Sequence, residues 1–319
     1  GKQGQPQARQ ANVERESGTG RRLRSVVMPK LRLLWSGFGP ATVVREFRGL
    51  ILSTIGPNVY LYEFKGEVRG FEQITFLRAN FHVVDVNVVG DTYVVISDAY
   101  SGVQFLVWRE LDKALVPLGK DHEPVAVSCA GAVLDGGRLG MAVFDTHCNL
   151  KVLQYRPRVL ESKNGYRLLC TADHHLGATV SCNALRTVAG AEHAPAQAVR
   201  GGAAPTAAPR TALLAGTHEG SILSVVPVHE QAFRKLSLLE QVMATGLDHV
   251  CGLNPREFRA YRALKYRPQR QRGVLDGSLL WRYVTLDAVR QDELAMAIGA
   301  KPQDIMDALL GIDATSAFW

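Results

Sequence analysis

The stretch Thr92–Trp108 (TYVVISDAYSGVQFLVW) decides how the rest of this chain is interpreted. It consists of an apolar run, a polar turn around Ser101 and a second apolar run, which is the pattern of a β-hairpin. The same pattern recurs in Leu50–Glu63, Leu139–Tyr155 and Ala212–Val226. The sequence therefore predicts four repeated hairpins.

The spacing of the hairpins indicates a β-propeller. Their turns lie 44, 46 and 72 residues apart, centred on Pro57, Ser101, His147 and Glu219. The last interval shortens to 49 residues when the 23 residues of Val188–Arg210, rich in Ala, Pro and Gly, are removed. A hairpin that repeats every ~40–50 residues is typical of propeller blades, each a four-stranded sheet. We predict a mainly β fold of about four blades, with 188–210 as a flexible insert between two strands of one blade.

Further segments complete the predicted blades. Partly alternating apolar runs suit the inner strands that precede three hairpins: Phe81–Val89, Ala126–Leu134 and Thr179–Val188. Short apolar segments suit the outer strands that follow three hairpins: Ala114–Leu118, Arg167–Thr171 and Lys235–Leu239. The blades are predicted to occupy residues 30–245, with regular structure starting at Lys30–Trp35.

Two segments carry the positive charge of the chain. Residues 1–32 and 256–272 each have a net charge of +6, whereas the whole chain has +7. Residues 1–29 contain few apolar groups and are predicted to be a disordered basic tail. Basic segments can contact nucleic acid or acidic protein surfaces, but solvated faces are the interpretation we favour. No apolar run is long enough to cross a membrane, and five irregularly spaced cysteines favour a reducing compartment.

The pattern changes after about Gln241, where helices are predicted. Asn254-Pro255 has the composition of a helix start. Gly299 is predicted to end one helix, and Pro302 to open a last helix that Gly311 ends. Residues 246–319 are therefore predicted to form a helical carboxyl-terminal domain.

Groups that could carry chemistry are sparse. The chain has no nucleophile-elbow motif and no phosphate-binding loop with its lysine. The densest set of metal-ligating residue types has no common zinc spacing, and we interpret it as buried cysteines and polar turn histidines: Cys170, His174, His175 and Cys182. Four aspartates near the hairpin turns are expected to make turn hydrogen bonds: Asp98, Asp121, Asp145 and Asp173. The sequence predicts a protein that is not an enzyme and has no cofactor, no metal and no catalytic residues.

The segment Arg256–Arg272 is the candidate binding site. Its aromatic and basic residues could stack on bases and contact phosphates. We prefer one amphipathic helix whose aromatic side chains face the core and whose arginines face solvent. On charge clustering alone, Arg256, Arg259 and Arg262 are predicted to bind a partner.

Several motifs resemble one known family. Residues 252–259 (GLNPREFR), 274–280 (VLDGSLL) and 292–295 (DELA) resemble the carboxyl-terminal region of the large subunit of the cleavage and polyadenylation specificity factor. Residues 175–178 (HLGA) are similar to the same family just before its last blade. The resemblance extends from about Leu33 to Trp319.

The resemblance implies both fold and function. The family has three β-propellers and a helical carboxyl-terminal domain, so a chain of 319 residues is expected to hold the carboxyl-terminal part of a propeller and the helices. The implied function is a nuclear, non-catalytic scaffold that binds WD-repeat and zinc-finger subunits of the polyadenylation-signal recognition complex, with weak or indirect contact to RNA and no membrane. The alternative is a nucleic-acid-binding paralogue of the damaged-DNA-binding or splicing factor 3b type.

Overall fold

The computed structural model describes residues 39–66, 70–79, 81–123, 125–135, 137–188, 210–263, 266–269 and 273–316. The predicted tail 1–29, the predicted start at Lys30–Trp35 and the interior of the predicted insert 188–210 lie outside the described residues. The strands that flank this insert, β13 Val180–Val188 and β14 Arg210–Thr217, pair with each other as neighbours in one sheet.

Four antiparallel sheets follow one another along the chain, which confirms the mainly β fold and the four propeller blades. The first sheet holds β1 Ala41–Phe47, β2 Leu50–Ile55, β3 Asn58–Phe64 and β4 Phe71–Arg78. The second holds β5 Val83–Val89, β6 Tyr93–Asp98, β7 Gly102–Arg109 and β8 Ala114–Lys120. The third holds β9 Val127–Asp135, β10 Arg138–Asp145, β11 Asn149–Gln154 and β12 Leu169–His175. The fourth holds β13 Val180–Val188, β14 Arg210–Thr217 and β15 Ile222–Val225.

The predicted hairpins are β2–β3, β6–β7, β10–β11 and β14–β15. Aspartates fix the turns, as the sequence indicated. Asp98 accepts hydrogen bonds from the Tyr100 and Ser101 amides at 2.9 and 3.0 Å, and Asp145 accepts from the Asn149 amide at 2.8 Å. Asp121 similarly accepts from the Glu123 amide. Asp173 is an exception because it lies inside β12.

The sheets pack face to face through apolar residues of alternate strand positions. Leu52 and Leu61 of the first sheet share a core with Val86 and Ile96 of the second. Similar cores join the second sheet to the third and the third to the fourth. The first strands of the four sheets, β1, β5, β9 and β13, line an open cleft of about 310 Å³. This arrangement is that of consecutive propeller blades.

Helices follow the fourth sheet and have a core of their own. They are α1 Glu230–Gly246, α2 Pro255–Phe258, α3 Gly277–Trp281, α4 Ala288–Ile298 and α5 Pro302–Ser316. Leu236 and Leu239 of α1 pack with Tyr283, Leu294 and Leu309. No helix in the described ranges is long and apolar enough to cross a membrane.

One of the predicted outer strands is wrong. Lys235–Leu239 lies within α1 and not in an outer strand. Leu236, Leu239 and Met243 are all fully buried, and their helical spacing places them on one face of α1. Helix α1 begins at Glu230 and belongs to the helical core. The predicted division into domains at residue 246 stays a prediction.

Gly299 ends α4 in a left-handed conformation, φ 70°, as predicted. Gly311, by contrast, does not end the last helix, which continues to Ser316. A glycine inside a helix costs only about 1 kcal/mol relative to alanine. Packing of Leu309 and Ile312 on the helical core favours the continued helix.

Candidate partner-binding surface

The three arginines predicted to bind a partner do not lie on one helix. Asn254 caps α2 by accepting a hydrogen bond from the Arg256 amide at 3.1 Å, and Pro255 is the first helical residue, as predicted. The helix ends at Phe258, after four residues. The chain then enters the strands β16 Tyr261–Ala263 and β17 Tyr266–Gln269. The predicted amphipathic helix over 256–272 is therefore wrong.

A contact with the third sheet explains why the helix ends. Asn149, at the start of β11, donates from Nδ2 to the Arg262 carbonyl oxygen at 2.6 Å and accepts from the Arg262 amide at 3.1 Å. A residue inside a helix would use both of these backbone groups within the helix. Pro268 also disfavours a long helix by about 3 kcal/mol. Long-range hydrogen bonding thus overrides the local pattern.

Arg259 joins the third sheet to the helices. Its Nη1 donates to the carbonyl oxygens of His175 and Leu176 at 3.3 and 2.8 Å, at the end of β12. Its Nε donates to Asp276 Oδ2 at 2.8 Å, and Nη2 to Ser278 Oγ at 3.2 Å, at the start of α3. The side chains of Arg259 and Asp276 are only 17% and 8% exposed. Arg259 therefore uses its guanidinium group for contacts within the chain that stabilise the fold.

Asp276 links this ion pair to two helices. Its Oδ1 accepts from the amide and hydroxyl groups of Ser278 at 3.0 and 2.6 Å, which caps α3. Its own amide donates to Glu240 of α1 at 3.2 Å. Burial acts to raise the pKa of Asp276, but the Arg259 guanidinium and the Ser278 hydrogen bond hold it below its usual value. The carboxylate is therefore ionised and paired near neutral pH.

His175 and Asn149 form the second part of the junction. His175 Nδ1 lies 3.0 Å from Asn149 Oδ1, and Nδ1 carries the hydrogen because a carbonyl oxygen only accepts. Asn149 Nδ2 also donates to Asp145 Oδ2 at 2.8 Å. Burial, together with the charges of Arg262 and Arg259, lowers the pKa of His175. The imidazole is therefore neutral near pH 7.

Aromatic residues of the candidate segment pack on the third sheet. The Phe258 ring lies 5.8 Å from the His175 ring, edge to face. It also sits against Gly177, where an added Cβ would lie 2.8 Å from a ring carbon. The Tyr261 ring lies 5.0 Å from Lys151 Nζ, a buried cation that pairs with Glu123 Oε2 at 2.6 Å. Burial would lower the pKa of Lys151, but the bond to Glu123 raises it.

Arg256 and Arg262 have exposed side chains. Arg256 Nη2 donates to the Gln241 carbonyl oxygen at 3.0 Å. The Arg262 guanidinium carbon lies 6.0 Å from the centre of the Phe258 ring. Of the three predicted arginines, these two are exposed, and Arg259 fixes the segment in which they lie.

The residue types that could bind a metal do not form a cluster in the part of the chain that the structure describes. Successive side chains of a strand point to opposite faces, so His174 and His175 of β12 diverge. Within the ranges that the structure describes, no group of three or more His, Cys, Asp or Glu side chains could hold a metal ion. Sequence reasoning missed Asn149 and Asp276. Asp276-Gly-Ser before a Leu pair is a recognisable helix start, whereas nothing local distinguishes Asn149.

These features define a class of protein, a β-propeller protein in which a helical module is fixed to one blade by polar contacts. The comparisons then identify the family. The family model described as the CPSF A subunit region matches residues 38–285, and the chain belongs to this family. The resemblance seen in residues 252–259 and 274–280 is thereby confirmed.

Curated relatives agree with this assignment. The chain is 33% identical over 283 residues to cleavage and polyadenylation specificity factor subunit 1 of Arabidopsis thaliana, covering 88% of the chain and 18% of that protein. It is 33% identical over 266 residues to protein cft1 of Aspergillus clavatus, covering 80% and 19%. The Drosophila melanogaster subunit 1 is 26% identical over 277 residues, covering 86% and 18%. The chain thus spans about a fifth of the length of these relatives.

Proposed function

We propose that this chain is a non-catalytic scaffold of the nuclear machinery that cleaves and polyadenylates pre-mRNA. In this function it holds other protein subunits, including a WD-repeat subunit and a zinc-finger subunit of the signal-recognition complex. The observation that carries the proposal is the Arg259 contact between the third sheet and α3 in a chain of the CPSF A family. A scaffold must keep its binding elements in fixed relative positions, and this contact supplies that rigidity.

The binding surface of the scaffold is proposed to include Arg256 and Arg262. Both side chains are exposed, and arginine is enriched at protein interfaces, where it pairs with carboxylates through two parallel hydrogen bonds. Their backbones are held by the Asn254 cap and by Asn149. A cation on a fixed backbone loses less conformational freedom on binding. Arg259 contributes by holding this segment against the third sheet.

The test is co-purification of the chain with recombinant WD-repeat and zinc-finger subunits, followed by measurement of the affinity. The variant Arg256→Glu/Arg262→Glu is expected to weaken binding by about tenfold or more, because two interfacial charges are reversed. The control is Arg78→Glu/Lys301→Glu, which changes the net charge equally at two other exposed positions. Thermal unfolding of both variants establishes that each is folded.

Two results would contradict the proposal. If the wild-type chain binds neither subunit, the proposed scaffold function is wrong. If the two double variants bind equally well, Arg256 and Arg262 do not belong to the binding surface. The nucleic-acid alternative is tested with a 20-nucleotide RNA, since phosphate contacts predict a steep loss of affinity as the salt concentration rises.

A further inference from the structure

The connection between β11 and β12 forms a second surface, at the other end of the third sheet. This β11–β12 loop comprises residues 155–168 and follows the carboxyl end of β11. Asn149, which contacts the helical module through Arg262, lies at the amino end of the same strand. The loop is therefore separated from the Arg256 and Arg262 surface by the length of the strand, roughly 20 Å for six residues.

The loop is ordered by hydrogen bonds of its own. A short 3₁₀ helix, Leu160–Ser162, is closed by the Ser162 hydroxyl, which donates to the Val159 carbonyl oxygen at 2.6 Å and accepts from the Gly165 amide at 3.1 Å. Lys163, Asn164 and Gly165 all have positive φ. At Gly165 an added Cβ would lie 2.6 Å from the Tyr155 ring, so the tight turn requires glycine.

The loop is also fixed to the neighbouring blade. The Lys120 amide at the end of β8 donates to the Tyr166 carbonyl oxygen at 2.9 Å, and the Leu168 amide donates to the Lys120 carbonyl oxygen at 3.0 Å. Gly119 lies so close that an added Cβ would approach the Gly165 carbonyl oxygen to 2.5 Å. The loop thus bridges two sheets as a preformed structure and has little conformational freedom to lose on binding.

The outer face of this loop is basic and apolar. Residues 156–167 contain four Lys or Arg and one Glu, a net charge of +3. Arg158, Lys163 and Arg167 are exposed and form no ion pair with any residue that the structure describes. Between them, Leu160 is 96% exposed and Tyr166 70% exposed. Large apolar side chains in an ordered, charged loop indicate a contact surface.

We propose that the β11–β12 loop binds a short acidic protein segment that carries an apolar side chain. Guanidinium groups pair with carboxylates through two parallel hydrogen bonds. Leu160 and Val159 offer apolar contact to a Leu or Phe of the partner, whereas single-stranded nucleic acid is bound by a basic groove together with several aromatic side chains on which the bases stack. The loop has a single exposed aromatic ring, Tyr166, so the composition favours a protein partner over RNA.

The experiment measures binding of the full chain to a fluorescein-labelled 14-residue peptide of Glu, Asp, Leu and Phe by fluorescence anisotropy. A 20-nucleotide uridine RNA is measured under the same salt conditions. Arg158→Glu/Arg167→Glu is expected to weaken peptide binding by about tenfold. Leu160→Ser is expected to weaken it by about fivefold, because apolar contact is lost while the charge is unchanged. Arg78→Glu/Lys301→Glu is the charge-matched control.

Peptide binding that is weakened by Arg158→Glu/Arg167→Glu and by Leu160→Ser, and not by the control, supports the proposal. No peptide binding at about 100 µM, or equal binding by the loop variant and the control, overturns it. Tighter binding of the RNA than of the peptide, lost in the loop variant, overturns it in favour of a nucleic acid. Unfolding midpoints for each variant separate lost binding from lost structure.

Discussion

The two ends of the third sheet use arginine in opposite ways. At one end Arg259 is surrounded by Asp276, Ser278 and two carbonyl oxygens, and it holds the helices against β12. At the other end Arg158 and Arg167 extend from an ordered loop into solvent. The first arginine stabilises the fold, whereas the other two are available for binding. Charge clustering in the sequence does not separate these functions, because burial and hydrogen-bond partners decide between them.

The largest expected effect on the free energy of unfolding comes from removing the Arg259 side chain. Arg259→Ala should lower the free energy of unfolding by about 3 kcal/mol, since the nearly buried Asp276 carboxylate loses its cation. Urea denaturation measures the change. Arg158→Ala, at the opposite end of the sheet, is the matched control and should change stability by less than about 0.5 kcal/mol. Similar losses in the two variants would contradict the comparison.

A smaller effect is expected at Asn149. Asn149→Asp places a second carboxylate beside Asp145 and removes the amide that donates to the Arg262 carbonyl oxygen. The free energy of unfolding should fall by about 2 kcal/mol. The control is Asn164→Asp in the exposed β11–β12 loop, where the same change should cost under about 0.5 kcal/mol. Urea denaturation of both variants measures the two changes.

The pH dependence of the folding stability should report the protonation of His175. Burial lowers its pKa below the ordinary value of 6.5, so the folded state favours the neutral imidazole. The contribution of His175 to the free energy of unfolding is fully present above pH 6.5. This contribution is lost as the pH falls from 6.5 through the folded-state pKa. His175→Gln should lose less stability than wild type between pH 7 and about 5. His147→Gln, at an exposed turn, provides the control, and an unchanged pH profile in His175→Gln would argue against a buried neutral imidazole.

The smallest effect is expected in the β11–β12 loop. Arg158→Glu/Arg167→Glu should change the free energy of unfolding by no more than about 0.5 kcal/mol, because neither side chain has an ion-pair partner among the described residues. Thermal denaturation measures this directly. A loss as large as that of Arg259→Ala would show that the loop arginines are structural.

The sheets could be predicted from the sequence because their signals are local. Alternating apolar residues and turn aspartates fix hairpins such as β6–β7 within about 17 residues. The prediction of a strand at Lys235–Leu239 is wrong because five residues, three of them leucines, do not distinguish a strand from one turn of a buried helix. Leu236 and Leu239 face a core that includes Leu279, Leu294 and Leu309, which lie 40 or more positions away in the sequence.

The structure of the candidate site could be predicted only in part. The basic segment 256–272 was recognised, but its division into α2 and two strands depends on Asn149, which is 113 residues from Arg262 in the sequence. The structural role of Arg259 likewise depends on its hydrogen bonds to carbonyl oxygens 83 and 84 residues away in the sequence. Contacts of this range leave no periodic signal in the local sequence.

The most direct test asks whether Arg259 makes the sheets and helices unfold together. Trp108 lies in β7 and Trp281 in α3, and 5-fluorotryptophan places a ¹⁹F NMR label in each, assigned with Trp→Phe variants. In the wild-type chain both signals should disappear at the same urea concentration. In Arg259→Ala the Trp281 signal should disappear at a lower urea concentration than the Trp108 signal. Coincident loss of both signals in the variant, at the wild-type urea concentration, would contradict the account.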